Sequence, residues 1–256
     1  MTREEKAARF RVLHVRGEPL ILFNAWDAGS AKAVADAGAK AIATGSWSVA
    51  EAQGYADGEA MPLDLALANI RRIAEAVDLP VTIDFERGYA EEPARVAANV
   101  LAAVEAGAIG CNLEDGRAGG DIRSADEQSA RIAAIRKATD GLGLDFFVNA
   151  RTDLFLHAAS DTHEGLVEEA LARGAAYAEA GASGLFVPGL SDETLIAHVC
   201  ATSALPVNVM VWPGRTPPLR RLAELGVARI SHAGGPWRIA MAALKDAARA
   251  AHEMEG

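Results

Sequence analysis

Val-Glu-Ala-Gly-Ala-Ile-Gly-Cys-Asn-Leu-Glu-Asp-Gly, residues 104–116, holds a helix end, a glycine stop, an apolar strand and an acidic strand end in one short stretch. The glycine is placed where a helix must stop in the left-handed conformation, which Gly reaches without Cβ strain. The same ending recurs as Ala-Asp-Ala-Gly-Ala (35–39), Ala-Glu-Ala-Gly-Ala (178–182) and Ala-Glu-Leu-Gly-Val (223–227), so Gly38, Gly107, Gly181 and Gly226 read as structural stops. Outward from these marks, eight β-type runs follow one another: 20–24, 41–45, 80–84, 110–114, 145–150, 184–188, 206–211 and 228–232. Several are nearly continuous apolar runs, as expected of strands covered on both faces. Helical patterns lie after them at 29–37, 62–76, 92–106, 125–139, 165–180, 193–200, 217–225 and 237–253. Strand then helix, eight times, predicts an α/β protein with a (β/α)8 TIM barrel. A doubly wound open sheet is the competing arrangement. It lacks support, because no Gly-x-Gly-x-x-Gly follows an early strand.

The chain has 256 residues, which suits one barrel domain over 1–256 with a short N-terminal helix, and no Pro- or Ser-rich linker divides it. Half of the residues are apolar, too many for a disordered chain. Lys plus Arg is 25 against 35 Asp plus Glu, a net charge of −10. With the arginines dispersed, this argues against a nucleic-acid partner. No run of about 18 apolar residues could span a bilayer, and residues 1–16 are a charged helical pattern without a signal-peptide core. A cytoplasmic protein is expected. Cys111 and Cys200 make neither a disulfide framework nor a zinc motif, and both read as small core side chains.

Chemistry in a parallel barrel belongs at the C-terminal strand ends, and these ends are polar. Asp57, Asp84, Glu86, Glu114, Asp115 and Asp153 form a carboxylate cluster. Its repulsion calls for a hard divalent cation, Mg2+ with Mn2+ as the alternative. Asp84 and Glu86, two apart, are expected on the same side of one strand. Asp27 and Asp153 precede helical sequence and could equally be N-caps. Arg151 is the cation within this ring: its planar fork suits a substrate carboxylate or phosphonate, or a salt bridge to Asp84 or Glu114. Thr44-Gly45-Ser46-Trp47 offers N–H groups and a hydroxyl at an expected tight turn, a possible anion nest. Asn208 ends the seventh run as a substrate-side amide, and Gly234-Gly235 could cradle a phosphate, as in phosphate-binding barrel isomerases. His232 closes the eighth run, where a catalytic role competes with a structural one.

Four motifs in order then become specific: Gly-Ser-Trp-Ser (45–48), Asp-x-acid-x-Gly-Tyr (84–89), Asn-Leu-Glu-Asp (112–115) and Asn-Ala-Arg-Thr-Asp (149–153). Together they resemble the isocitrate lyase/phosphoenolpyruvate mutase superfamily, nearly end to end, and above all its short phosphonomutase-like members. The resemblance implies Mg2+ and the making or breaking of C–C or P–C bonds next to a carboxylate, through an enolate held on the metal. It makes Asp84 the direct metal ligand, with Glu86 and Glu114 acting through water. Ser46 and the backbone of Gly45 and Trp47 would hold the substrate carboxylate and enolate oxygen. Asp57 would sit at the reacting centre, and Arg151 would clamp the substrate. It also implies a homodimer or homotetramer with the last helix swapped between subunits. Lyase members carry a Cys and a His on the loop after the fourth strand. Here that loop, Glu-Asp-Gly-Arg-Ala-Gly-Gly-Asp-Ile (114–122), has neither, which argues against an isocitrate or methylisocitrate lyase; its glycines suit a mobile lid. The expectation is a Mg2+-dependent lyase or decarboxylase of a small α-keto or 2-hydroxy acid. A phosphonate mutase or hydrolase, and a non-catalytic metabolite-binding barrel, are the alternatives.

Overall fold

The computed structural model describes residues 1–253; residues 254–256, the end of the span read as one domain, lie outside the described residues. Eight strands are β1 (Leu20–Leu22), β2 (Ile42–Ala43), β3 (Val81–Asp84), β4 (Gly110–Glu114), β5 (Phe147–Arg151), β6 (Gly184–Phe186), β7 (Val207–Met210) and β8 (Arg229–Ser231). They pair in parallel in the order β1-β8-β7-β6-β5-β4-β3-β2. A parallel bridge between Ala25 and Thr44 joins the two ends of that order, so the sheet closes into the expected (β/α)8 barrel. The core is aliphatic and alanine-rich, as helices packed close on a barrel require.

The helices are α1 (Arg3–Val12), α2 (Ala28–Asp36), α3 (Ser46–Gln53), α4 (Leu63–Ala76), α5 (Pro93–Glu105), α6 (Ala125–Asp140), α7 (Leu154–His157), α8 (Val167–Glu179), α9 (Glu193–Thr202), α10 (Leu219–Glu224) and α11 (Gly235–Glu253). The four recurrent glycines stop α2, α5, α8 and α10 with φ of 92°, 107°, 98° and 87°. Two readings change. Residues 46–53 are helical, not a tight turn: Gly45 is the N-cap and Gly54 (φ 79°) the left-handed stop. Before α8, Ser160–Leu166 is a 3-10 segment, so the helix begins at Val167 rather than 165.

Two helices set the surroundings of the site. α1, started by a Thr2/Glu5 capping box, lies across the N-terminal floor of the barrel. Its Phe10 is fully buried, edge-on to Phe147 at 5.3 Å, and the His14 ring stacks on Phe147 at 4.0 Å. α11, by contrast, leaves the barrel. Of its residues only Pro236 is buried, and Ile239 and Leu244 are 64% and 61% exposed. The outer face of β1 is correspondingly bare: Ile21 and Phe23 line an apolar groove of about 540 Å³ with Pro19, Leu20, Ala33 and Val34. Among the described residues, no helix is long and apolar enough to cross a membrane.

Candidate active site

β3, β4 and β5 deliver the acidic ring. Asp84 ends β3; one carboxylate oxygen accepts from the Ser46 N–H at 3.0 Å and the other from the Asn112 amide at 3.3 Å. The first turn of α3 thus points a free N–H at the carboxylate, a favourable end for a negative charge. Glu86 does not lie on the same strand. β3 stops at Asp84, and Glu86 has φ 49°, so alternation along a strand does not place it. The left-handed turn nevertheless returns it to the cluster. There its carboxylate accepts from the Glu59 N–H at 2.6 Å and the Tyr89 hydroxyl at 3.3 Å. Burial first, then Asp84 and Asp57, push the Glu86 carboxyl up to about 7. Asp57 sits on an exposed loop, yet its carboxyl is lifted by loss of surrounding water and by Asp84, with Gly58 and the Ser46 hydroxyl opposing.

Arg151 ends β5 and is held from two sides. Its Nη1 is 2.8 Å from Glu114 and its Nε 2.6 Å from Asp153, while Nη2 has no protein acceptor among the described residues. The salt-bridge reading is therefore realised with Glu114, and one edge of the fork remains for a ligand. Burial lifts the Glu114 carboxyl to about 8, and Arg151, 2.8 Å away, opposes that lift. Asp153 occupies the N-cap position of α7 but makes no cap bond, because its carboxylate is taken by Arg151. Asp27 is a true cap, bonded to Ser30.

Other expected members fall elsewhere. Asp115 is fully buried and faces α8. It accepts from Tyr177 at 2.8 Å and Arg173 at 3.3 Å and receives the Asp153 N–H at 3.0 Å, so it braces the ring from behind. Asn208 is 1% exposed and exchanges hydrogen bonds with Ser231 inside the barrel. His232 follows Ser231, whose side chain points inward. The His232 ring packs on Phe23 with centroids 5.1 Å apart, and Nδ1 is 3.3 Å from the Leu22 carbonyl. Burial lowers its pKa and no carboxylate contributes, so the fold does not bring His232 to the ring. The Trp47 ring turns to the root of α11, under the Arg238 guanidinium at 4.3 Å and edge-on to Trp237. A Cβ at Gly234 would run into that ring, so the Trp47 contact by itself requires a glycine there. Gly45 likewise lets the Ala233 carbonyl approach.

The loop after β4 is braced at both feet. Gly116 bridges to Ile122, buried Arg123 pairs with Glu91 at 2.6 Å, and Arg117 reaches Glu91 and Glu127. Gly119 and Gly120, with positive φ and nothing near their Cβ positions, form its tip. Sequence reading gave Glu59 no role, and it quoted Tyr89 and Thr44 within motifs without seeing what they hold. Glu59 (φ 64°) accepts from the Tyr89 N–H at 2.6 Å and pairs with Arg87, fixing the turn that carries Glu86; Thr44 Oγ1 accepts from the Asp84 N–H at 3.0 Å. Left-handed non-glycine residues at Glu59, Glu86 and Tyr89 mark strain gathered at the site, and no sequence motif announces it.

The donor set fits Mg2+. Among the described residues no three His, Cys, Asp or Glu side chains close into a ready cage. Mg2+ needs none, since it typically takes one or two carboxylates and keeps several waters. The raised carboxyls of Glu86, Glu114 and Asp57 express burial first and the repulsion of neighbouring acids second, and a bound cation offsets both.

The phosphoenolpyruvate phosphomutase family model matches residues 10–252. The crystal structure of a candidate phosphonomutase from Burkholderia cenocepacia J2315 superposes with a TM-score of 0.95 at 54% identity, covering 98% of this chain and 100% of that one. An uncharacterised protein of Mycobacterium tuberculosis H37Rv is 35% identical over 249 residues, 96% of this chain and 90% of its own. The 2-methylisocitrate lyase of Escherichia coli K12 is 30% identical over 234 residues, 88% of this chain and 76% of its own. Further relatives are a 2,3-dimethylmalate lyase, an oxaloacetate decarboxylase and a carboxyvinyl-carboxyphosphonate phosphorylmutase.

Proposed function

The chain belongs to the isocitrate lyase/phosphoenolpyruvate mutase superfamily, and from that premise we propose that it is a Mg2+-dependent lyase or decarboxylase of a small α-keto or 2-hydroxy carboxylic acid. The observation that carries this reading is the convergence of Asp84, Glu86, Asp57 and Glu114 around Arg151 at the barrel mouth. Asp84 would hold the cation, with Glu86 and Glu114 as outer partners through water. When bound, Mg2+ supplies Lewis-acid stabilisation of negative charge developing beside the substrate carboxylate. The Arg151 Nη2 edge grips a carboxylate oxygen of the substrate. The Ser46 hydroxyl, at the start of α3, offers a further hydrogen bond.

Proton handling favours decarboxylation over cleavage of a 2-hydroxy acid. Loss of CO2 from a β-keto acid breaks one C–C bond, leaves the electron pair in an enolate, and needs one proton delivered to carbon. Cleaving a hydroxy acid also needs a base to take the hydroxyl proton. The 114–122 loop carries no Cys or His to divide that work, and Asp57, with its lifted carboxyl beside Asp84, suits a single proton transfer.

The test is turnover of oxaloacetate, 2-methylisocitrate and phosphonopyruvate with and without Mg2+. We expect CO2 release from oxaloacetate that is lost on chelation and in Asp84→Ala. Phosphonopyruvate turnover with oxaloacetate inert would move the reading to the mutase or hydrolase. Binding without any turnover would leave a metabolite-binding barrel. We further propose that two copies exchange α11. The apolar groove on β1 is the surface such a helix would cover, and Ile239 and Leu244 are the side chains available to cover it. A chain ending at residue 234 should then lose its dimer in sedimentation.

A further inference from the structure

Arg229 opens β8 on the floor of the barrel and is 1% exposed. Among the described residues no carboxylate touches it. Its Nη2 donates to Asn112 Oδ1 at 3.1 Å, whereas Nε and Nη1 have no acceptor among the described residues. The guanidinium lies over the Phe10 ring of α1 at 5.8 Å, sealed beneath by that helix. Burial pushes its pKa down to about 9, and Asp84 is the first group that pulls it up. An isolated buried cation with unmet donors weakens a fold. Departures of this kind are expected where a site needs them.

What Arg229 does touch explains its place. Asn112 Oδ1 accepts from both Arg229 and the Asn149 amide, at 3.1 and 2.9 Å. Arginine has no acceptor, so the oxygen end of the Asn112 amide must face it. The NH2 end is thereby turned to Asp84, to which it donates at 3.3 Å, while the Ser46 N–H holds the other oxygen. Asp84, Asn112 and Asn149 are register partners on adjacent strands and share one inward layer. A rigid path thus runs from the floor of β8 across β4 to the acidic mouth.

We propose that Arg229 is a positioning residue for Asp84: from the barrel floor it locks the Asn112 amide and so presents the Asp84 carboxylate to the cation in one orientation. The inference rests on the Mg2+ reading above. A purely electrostatic Arg229 would act in the opposite sense, since a cation below the site repels Mg2+ and its removal would tighten binding.

The sign of the change therefore decides. Mg2+ affinity is measured by titration calorimetry on the full chain without substrate, for the native protein, Arg229→Met, Arg229→Lys and Asn112→Leu, with a thermal melt to verify folding. Arg229→Met and Asn112→Leu should each weaken Mg2+ about 10- to 100-fold, the usual cost of losing an outer-shell partner. Arg229→Lys, which keeps a donor and the charge, should stay much closer to native affinity. A folded Arg229→Met that binds Mg2+ as tightly as the native chain, or more tightly, would overturn the positioning role. If Arg229→Met does not fold, Asn112→Leu and Arg229→Lys decide by the same criteria. A native chain that binds no Mg2+ would instead overturn the metal reading, and this inference with it.

Discussion

Replacing Arg151 with Met keeps most of the side-chain volume and removes the cation that holds Glu114 at 2.8 Å and Asp153 at 2.6 Å. The three side chains are 16%, 10% and 4% exposed, so water screens little of the pairing. Removing one partner of a buried ion pair typically costs about 3–5 kcal/mol. In a chain of this size each kcal/mol lowers the melting temperature by roughly 2–4 °C, so a drop of roughly 6–20 °C is expected at pH 8. The loss must depend on pH. Burial already lifts the Glu114 carboxyl and Arg151 opposes that lift, so the variant carries it further above its unfolded value. Between those two values the folded state binds a proton that the unfolded state does not, and stability rises as pH falls. The native chain takes up the same proton below about 8, so the deficit should be nearly level between pH 5 and pH 8 and widen above pH 8. Urea unfolding or thermal melts followed by circular dichroism, in chelator, at pH 8 and pH 9.5, read it directly. A deficit below about 1 kcal/mol, or one no larger at pH 9.5 than at pH 8, would refute the view that Arg151 neutralises the ring.

The metal-free native chain should gain stability relative to Glu86→Gln as pH falls from 8 to 6, because the folded Glu86 carboxyl, lifted to about 7, takes up a proton in that window. The relative gain is about 1 kcal/mol, and it should disappear with saturating Mg2+; a difference between the two chains that does not change with pH would contradict it. His232→Ala should leave turnover within about twofold, since the ring packs on Phe23 away from the carboxylates. A tenfold loss would restore the catalytic role that its position in sequence suggests. Gly234→Val should displace the Trp47 ring, at about 1–3 kcal/mol for overpacking, visible as a shift in tryptophan fluorescence; unchanged emission and melting would show that the contact is slack.

The barrel was legible in the chain because its signals are local. Gly107 and its three counterparts stop helices where they stand, and short apolar runs such as Gly184–Phe186 form strands between them. Asp84, Glu114 and Arg151 were legible for the same reason: a parallel barrel sends every strand end to one face, so position along the chain implies position in space. Several features were not. Glu86 reaches the cluster through a left-handed turn that Glu59 and Tyr89 hold from outside. Asp115 and Asp153 are joined through the Asp153 N–H, yet their carboxylates serve different partners, because Tyr177 and Arg173 on α8 claim one and Arg151 the other. His232 turns outward because Ser231 turns in. Arg229, which no motif marks, lies under the site because Asn112 and Phe10, distant in sequence, enclose it. Sequence by itself determined the period, the stops and the acidic strand ends, all set by near neighbours along the backbone. Only the tertiary structure decided which acid faces the mouth, which braces it from behind and which cation stands beneath, because hydrogen bonds and burial between distant segments settle those choices.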